Sequence, residues 1–378
     1  MSLIGQEQTI LLSLVVLSLV IFGWWSEKTK IGSLLSGTIV VMVLGLIASN
    51  LNIVPHSSDV YDIIATYSVP LAIPLLLLNT DFRRIFKETG ITLIAFIFAC
   101  LGTILGAVIG FAMVNMGDSG HAWAGVYAAS YIGGTLNFVS VSSVLEVPRT
   151  EATAALAADT LMGMGFLFLL IIVSCSKWLE STFRASKNEL KQEASDNLVD
   201  LSTKAVNVTH LITVFSLSVA IFWISQEITI WLNLEKYTLL VVTILSLSAA
   251  FFVPRKISNS EGVFQSGILA MYGFFVVISL GTDFSQLMIH AIPFLLFLSC
   301  LLLTHIVVVG LLCKIMKIGL PEMVTASCAC VLGPSVAAAM AANKGWAQLA
   351  TPGILCGTLG YAIGNFIGIF LSNILATS

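Results

Sequence analysis

The sequence predicts an all-helical integral membrane protein built from two inverted repeats, and three observations lead to this prediction. First, 57% of the 378 residues are hydrophobic and only 10% are charged, whereas soluble domains carry about 25% charged residues. Second, long apolar runs recur along the chain, and the mean hydropathy is +1.00. Third, short motifs of the first half return in the same order in the second half. A lipid bilayer is therefore the expected solvent of this chain.

Twelve apolar segments are candidates for membrane helices, since a helix needs about 20 mostly apolar residues to cross the hydrocarbon. They cover residues 9–25, 31–52, 60–79, 91–116, 124–146, 152–176, 208–226, 237–254, 263–281, 291–313, 321–343 and 348–375. The polar stretch 177–207 separates the first six from the last six and carries five basic and five acidic residues. We therefore predict a first membrane repeat (1–176), a polar cytoplasmic linker (177–207) and a second, inverted membrane repeat (208–378).

Three pairs of short motifs indicate an internal duplication. TDF at 80–82 corresponds to TDF at 282–284, YIGGT at 131–135 to VLGPS at 331–335, and DTL at 159–161 to GTL at 357–359. The offsets lie between 198 and 202, and the order is the same in both halves.

The distribution of Lys and Arg predicts the topology, because cytoplasmic loops collect basic residues. If all twelve segments crossed the membrane, the 17 basic residues would divide eight against nine. If the fifth and eleventh segments instead enter and leave on the same side, and the N-terminus lies outside, only Arg149 and Lys236 remain outside, a division of fifteen to two. Each half then crosses five times, so the second repeat is upside down relative to the first.

The two segments predicted to be re-entrant are rich in Ala, Ser and Gly, and each contains helix-breaking residues near its middle. These are Gly133 and Gly134 in one segment and Gly333 and Pro334 in the other. Glycine adopts backbone angles that other residues resist, and proline removes a helical hydrogen-bond donor. We expect re-entrant hairpins or broken helices here. The alternative is a small-residue packing face on an ordinary helix.

A break in a membrane helix leaves backbone N–H groups that can bind an anion and carbonyl groups that can bind a cation. Thr135 and Asn137 lie at the first break and Ser335 at the second, and all three can cap a helix or bind a ligand. We therefore predict that a solute binds at both breaks. The candidate substrate-binding residues are Gly133, Gly134, Thr135, Asn137, Gly333, Pro334 and Ser335.

A carboxylate in the sixth segment is the main candidate for binding a coupling ion. Asp159 lies among apolar and small residues, where an ionised group is costly unless it is paired, hydrated or protonated. Thr160 is adjacent, and Thr358 and Asn365 in the last segment are further candidates. The alternative is that Asp159 is a structural carboxylate, hydrogen-bonded to the first hairpin.

Other function classes lack a signature in the sequence. The chain has no phosphate-binding loop, HExxH or GxSxG motif, so we do not expect an enzyme. The seven cysteines form no CxxC pair, and no cofactor or metal beyond Na⁺ is expected. The few basic residues lie between apolar runs, which does not indicate nucleic-acid binding.

Three stretches resemble the YjcL-like family of uncharacterised bacterial membrane proteins: residues 55–81, the YIGGTLN break at 131–137 and GTLGYAIGNFIG at 357–368. That family is grouped with the cation–proton antiporter/anion transporter superfamily, which includes sodium–glutamate and 2-hydroxycarboxylate symporters. The resemblance implies a homodimer in the bacterial cytoplasmic membrane that carries an organic anion with Na⁺ by an elevator-type movement. Neither hairpin contains an arginine, which argues against a citrate-like substrate.

The leading hypothesis is therefore a Na⁺- or H⁺-coupled symporter of a small organic solute, either an organic anion or an amino-acid-like molecule. Two alternatives remain open: a cation/proton antiporter in which Asp159 binds Na⁺ and H⁺ in turn, and a non-carrier membrane protein such as a regulator of cell-wall turnover.

Overall fold

The structure is a computed structural model of the full chain, and it describes residues 2–29, 37–78, 85, 87–183, 208–253, 261–281 and 284–377. Within these ranges the regular secondary structure is entirely helical. Fifteen α-helices are described: α1 Thr9–Ser26, α2 Gly37–Asn50, α3 Asp59–Leu77, α4 Ile91–Met113, α5 Gly120–Gly133, α6 Thr135–Val144, α7 Arg149–Cys175, α8 Lys177–Thr182, α9 Val208–Trp231, α10 Thr238–Phe252, α11 Glu261–Leu280, α12 Phe284–Ile315, α13 Leu320–Leu332, α14 Pro334–Asn343 and α15 Ala350–Leu375.

The expected apolar helices are present in the described part of the chain. Nine of its helical stretches are long and apolar enough to span a membrane. α2 is shorter, and the start of its predicted segment, residues 31–36, lies outside the described residues. The fifth and eleventh predicted segments each form two short helices, α5 with α6 and α13 with α14. Most of the predicted linker, residues 184–207, and the two TDF motifs, except Phe284, also lie outside the described residues.

The chain divides into two compact units. Unit 1 comprises residues 1–79, 148–160 and 206–292, and unit 2 comprises residues 80–147, 161–205 and 293–378. Each unit therefore contains helices from both predicted repeats. The assignment of the repeats themselves, 1–176 and 208–378, stays a prediction.

Unit 1 is held together by close helix contacts at small residues. A Cβ atom added at Gly267 of α11 would lie 2.8 Å from Leu76 Cγ of α3. At the end of α1, the Glu27 carboxylate accepts hydrogen bonds from the Tyr272 hydroxyl of α11 and from the Gly37 N–H at the start of α2. Small residues at helix crossings let backbones approach closely, which is a common device in membrane helix packing.

Unit 2 contains two helix crossings that are lined by evenly spaced glycines. In the first, Gly102, Gly106 and Gly110 of α4 contact α12, and a Cβ atom at Gly106 would lie 2.5 Å from the Leu301 carbonyl oxygen. In the second, α5 crosses α15, and a Cβ atom at Gly125 would lie 2.5 Å from the Gly368 carbonyl oxygen. In both crossings, residues with higher numbers on one helix contact residues with lower numbers on the other, so the paired helices are antiparallel.

Candidate functional site

The first helix break is centred on one glycine. α5 ends at Gly133, Gly134 has φ 82° and ψ −179°, and α6 begins at Thr135. This combination of angles is essentially restricted to glycine. The break is therefore set by Gly134, whereas Gly133 is the last helical residue of α5.

The second break has the same backbone conformation. Gly333 has φ 86° and ψ −179°, and it joins α13 to α14. Pro334 is the first residue of α14, a position where its missing N–H costs nothing and its fixed φ suits the helix. The structural counterpart of Gly134 is therefore Gly333, at an offset of 199. The sequence comparison paired the two motifs at an offset of 200, which is one residue out of register. In the structure, the residue that corresponds to Gly133 is Leu332.

The last helix of the chain contacts both breaks. A Cβ atom at Gly357 of α15 would lie 2.6 Å from the Pro334 nitrogen, and one at Gly360 would clash with the Ile132 carbonyl oxygen. Only glycine allows the two breaks to approach α15 this closely, because any side chain would collide with their backbone.

Tyr361 lies against both breaks. A Cβ atom at Gly134 would be 3.3 Å from Tyr361 Cε1, and one at Gly333 would be 3.3 Å from the Tyr361 hydroxyl oxygen. The two breaks are thus neighbours across one half-buried aromatic ring. Tyr361 lies within the GTLGYAIGNFIG motif, but it was not among the predicted site residues. The sequence feature that could have identified it is an aromatic residue within a glycine-rich stretch, because such a stretch predicts close helix packing.

Asn137 fixes the first break to α15. Its side chain is fully buried, and its Nδ2 donates to the carbonyl oxygens of Gly360 and Tyr361, each at 3.3 Å. Its Oδ1 has no hydrogen-bond partner among the described residues, and the same holds for the buried hydroxyl of Ser140, one turn further along α6. Buried polar atoms normally have a partner, so these two oxygens are candidates to contact a bound ion, a water molecule or a solute.

The two hydroxyl residues predicted at the breaks differ in exposure. Thr135, the first residue of α6, is half-buried, and Ser335, the second residue of α14, is exposed. The N-terminus of α6 has no side-chain cap, so Thr135 does not cap its own helix.

The predicted coupling-ion residues are divided between the two units. Asp159 and Thr160 belong to unit 1, and Thr358 and Asn365 belong to unit 2. Asp159 is 7% exposed. The Thr160 hydroxyl donates to the Leu156 carbonyl oxygen at 2.9 Å and lies 3.7 Å from Met42 Sδ.

On α15, the Thr358 hydroxyl donates to the Leu355 carbonyl oxygen at 2.9 Å, and Asn365 is 2% exposed. The structure therefore brings seven predicted residues together at the two breaks and places Thr358 and Asn365 on the helix that contacts them. The roles assigned to all of these residues stay predictions.

Comparison with known proteins identifies the family. The model of the family described as "Protein of unknown function (DUF819)" matches residues 13–378, nearly the whole chain. The chain belongs to the DUF819 family. A curated relative, the uncharacterized membrane protein YjcL of Bacillus subtilis (strain 168), is 32% identical over 370 residues, which cover 92% of this chain and 91% of the relative. With nine candidate spans among its described residues, this DUF819 chain is a multi-pass membrane protein, and its resemblance to YjcL-like proteins is confirmed.

Proposed function

We propose that this DUF819 protein is a secondary active transporter that carries a small organic solute together with Na⁺ or H⁺. One observation carries the proposal: two helices of one unit break at glycines of the same backbone conformation, and both glycines contact Tyr361. A single break could be an accident of packing. Two matching breaks that meet at one residue are what a solute site near the middle of the membrane requires.

The contacts across each break support re-entrant hairpins. Trp123 of α5 and Phe138 of α6 have ring centroids 6.4 Å apart, although fifteen residues separate them, which is about 22 Å along a continuous helix. This short distance supports a chain that folds back at Gly134. At the second break, a Cβ atom at Gly353 would lie 3.0 Å from Thr325 Cγ2 of α13 and 3.2 Å from Ala337 Cβ of α14, which places those two helices side by side. Re-entrant backbone at membrane depth is tolerated only where protein or a water-filled cavity surrounds it.

The matching breaks and the antiparallel crossing of α4 with α12, the fourth and tenth predicted segments, also support an inverted duplication. We propose that each half has five crossings and one hairpin, and on this basis we place the family in the cation–proton antiporter/anion transporter superfamily.

The chemistry of the breaks favours an anionic group on the solute. The first N–H groups of α6 and α14 start at the two breaks, and a helix N-terminus carries about half a positive charge. Two such ends, together with the Tyr361 hydroxyl, suit one carboxylate. The oxygens of Asn137 and Ser140 that lack a described partner suit a hydrogen-bond donor or a cation, so a simple organic anion with Na⁺ and an amino-acid-like solute both fit.

The division into two units supports an elevator-type mechanism, in which one unit carries the solute while the other stays fixed in the bilayer. Both breaks and α15 belong to unit 2. We therefore propose unit 2 as the carrier and unit 1 as the scaffold, in a homodimer in the bacterial cytoplasmic membrane. Cross-linking in native membranes, followed by mass measurement, tests the dimer.

A cation/proton antiporter is the second candidate, and Asp159 is the observation that favours it. A carboxylate that is 7% exposed in a membrane-spanning helix is a functional candidate by default. In this case Asp159 binds Na⁺ and H⁺ in turn, and no organic solute is needed.

The test uses the purified full chain in proteoliposomes with an inward Na⁺ or H⁺ gradient. Uptake is measured for a panel of radiolabelled monocarboxylates and amino acids, and the internal pH is followed with a trapped dye. Gradient-dependent uptake of a solute supports the symporter. Dissipation of the pH gradient on addition of Na⁺ alone supports the antiporter. If neither occurs, or if Asp159→Asn and Gly134→Val proteins behave as the wild type does, the transporter proposal is wrong and a non-carrier role takes its place.

A further inference from the structure

A buried histidine lies within hydrogen-bonding distance of side chains from two neighbouring helices, α4 and α13. His305 of α12 is fully buried, and its two ring nitrogens face two different helices. Nδ1 lies 3.0 Å from the Thr103 hydroxyl of α4, and Nε2 lies 3.2 Å from the Ser327 hydroxyl of α13. α13 ends at the second break, so the Nε2 contact holds the helix that leads to that break.

The Nδ1 contact reaches the first break through Thr103. The Thr103 hydroxyl also donates to the Tyr131 carbonyl oxygen at 3.4 Å, and the Cys330 thiol of α13 donates to the same oxygen at 3.1 Å. In a continuous helix, the Tyr131 carbonyl would accept from the N–H four residues later, but the chain turns at Gly134 before that bond can form. The side chains of Thr103 and Cys330 therefore satisfy a carbonyl group that the break releases.

The ring has a defined role in this network as a neutral imidazole, which carries one donor and one acceptor nitrogen. The Thr103 hydroxyl has one proton and donates it to the Tyr131 carbonyl oxygen. Its oxygen is therefore the acceptor at Nδ1, and the N–H of the ring points toward α4. Nε2 then accepts from the Ser327 hydroxyl. Each ring nitrogen thus has a partner without a buried charge.

We propose that His305 is a positioning residue that couples the two breaks, so that neither opens without disturbing the other. Three features carry this inference: the complete burial of the ring, its bonds to two helices, and the continuation of one of those bonds to the carbonyl released at Gly134. The coupling does not depend on what the protein carries, so it stands or falls separately from the transporter proposal.

Cysteine labelling of the purified full chain tests the coupling. Thr135→Cys reports on the first break, and Ala337→Cys, at a fully buried position in the first turn of α14, reports on the second. Each is made in a background where the accessible cysteines are replaced (Cys175→Ser and Cys300→Ser). The rate of alkylation by N-ethylmaleimide measures how often each break opens. His305→Leu is expected to raise both rates about tenfold, the change in population that corresponds to about 1.4 kcal/mol.

Two single-link variants separate the two connections of the ring. Thr103→Val removes the link to the first break and should raise the rate at Thr135→Cys far more than at Ala337→Cys, whereas Ser327→Ala should do the reverse. Thr103→Ser retains the hydroxyl and should restore the wild-type rates. Ser218→Ala is the matched control, because the fully buried Ser218 hydroxyl donates only to the Val214 carbonyl oxygen of its own helix.

The labelling rates decide between coupling and general stability. Selective changes in the single-link variants, with both rates raised in His305→Leu, support the coupling. Rates within twofold of the wild type in a folded His305→Leu protein contradict it. Equal changes at both reporters in every variant, including Ser218→Ala, also contradict it, because they would mean that the substitutions only destabilise the fold. If His305→Leu fails to fold, the labelling rates of His305→Gln and His305→Asn test the coupling instead. Each variant should keep one of the two hydrogen bonds of the ring and loosen only the break whose hydrogen bond is lost.

Discussion

Replacing either break glycine by alanine should destabilise the protein through the backbone, and the structure gives the expected size. Gly134 and Gly333 have φ 82° and 86° with ψ −179°, a region in which a residue with a Cβ atom is strained by about 1–3 kcal/mol. The added Cβ would also lie 3.3 Å from the Tyr361 side chain at either position, a contact that a small movement of the ring relieves. Gly134→Ala and Gly333→Ala should therefore each lower the free energy of unfolding by about 1–3 kcal/mol.

Gly165 provides the matched control. It lies within α7 in the same unit, and a Cβ atom added there would meet no heavy atom within 4 Å. Alanine is a better helix former than glycine by about 1 kcal/mol, so Gly165→Ala should leave the protein unchanged or slightly more stable.

The assay is equilibrium unfolding in mixed micelles, with increasing SDS and tryptophan fluorescence as the signal. A second measurement separates backbone strain from the contact with the ring: in a Tyr361→Ala background, Gly134→Ala should keep most of its cost. If the Gly134→Ala and Gly333→Ala proteins have the same free energy of unfolding as the Gly165→Ala protein, the two break glycines do not have the backbone conformation described here. If the cost disappears in the Tyr361→Ala background, the contact with the ring, and not the backbone, sets it.

Three further predictions follow from the same geometry. Asn137→Ala removes two hydrogen bonds to the carbonyl groups of Gly360 and Tyr361 and should lower the free energy of unfolding by about 1–3 kcal/mol, measured by the same SDS titration; an unchanged midpoint would contradict it. Gly360→Ala places a Cβ against the Ile132 carbonyl oxygen, so it should cost about 1–3 kcal/mol as overpacking and abolish solute uptake, whereas normal uptake would mean that α5 can leave α15 freely. Under the transporter proposal, Asp159→Asn should remove the cation dependence of solute uptake in proteoliposomes, and retention of that dependence would exclude Asp159 as the coupling residue.

The helices could be predicted from the sequence because the bilayer imposes a simple rule. Few charges and repeated apolar runs of about 20 residues are sufficient to locate membrane helices, and each of the nine candidate spans in the described part of the chain coincides with an expected segment. The positions of the breaks were also predictable, since glycine and proline near the middle of an apolar segment weaken a continuous helix. The register between the two breaks was missed by one residue, because only the backbone angles distinguish Gly134 from the helical Gly133.

The contacts between distant segments could not be predicted from local patterns. Tyr361 is one aromatic residue among many in apolar helices, and its position between two glycines that are far apart in the sequence depends on packing. His305 is a single histidine in an apolar helix, and its burial and two hydrogen bonds are visible only in the structure. Its partners on α4 and α13 emerge only when the helices are assembled.

Solute protection of cysteines at the two breaks tests most directly whether they form one site. Thr135→Cys and Ser335→Cys proteins are labelled with maleimide in the presence of Na⁺ and increasing concentrations of a solute that the uptake panel identifies. We predict that the same solute slows labelling at both positions with the same half-maximal concentration. Protection at one break alone, or at neither, would contradict a shared site.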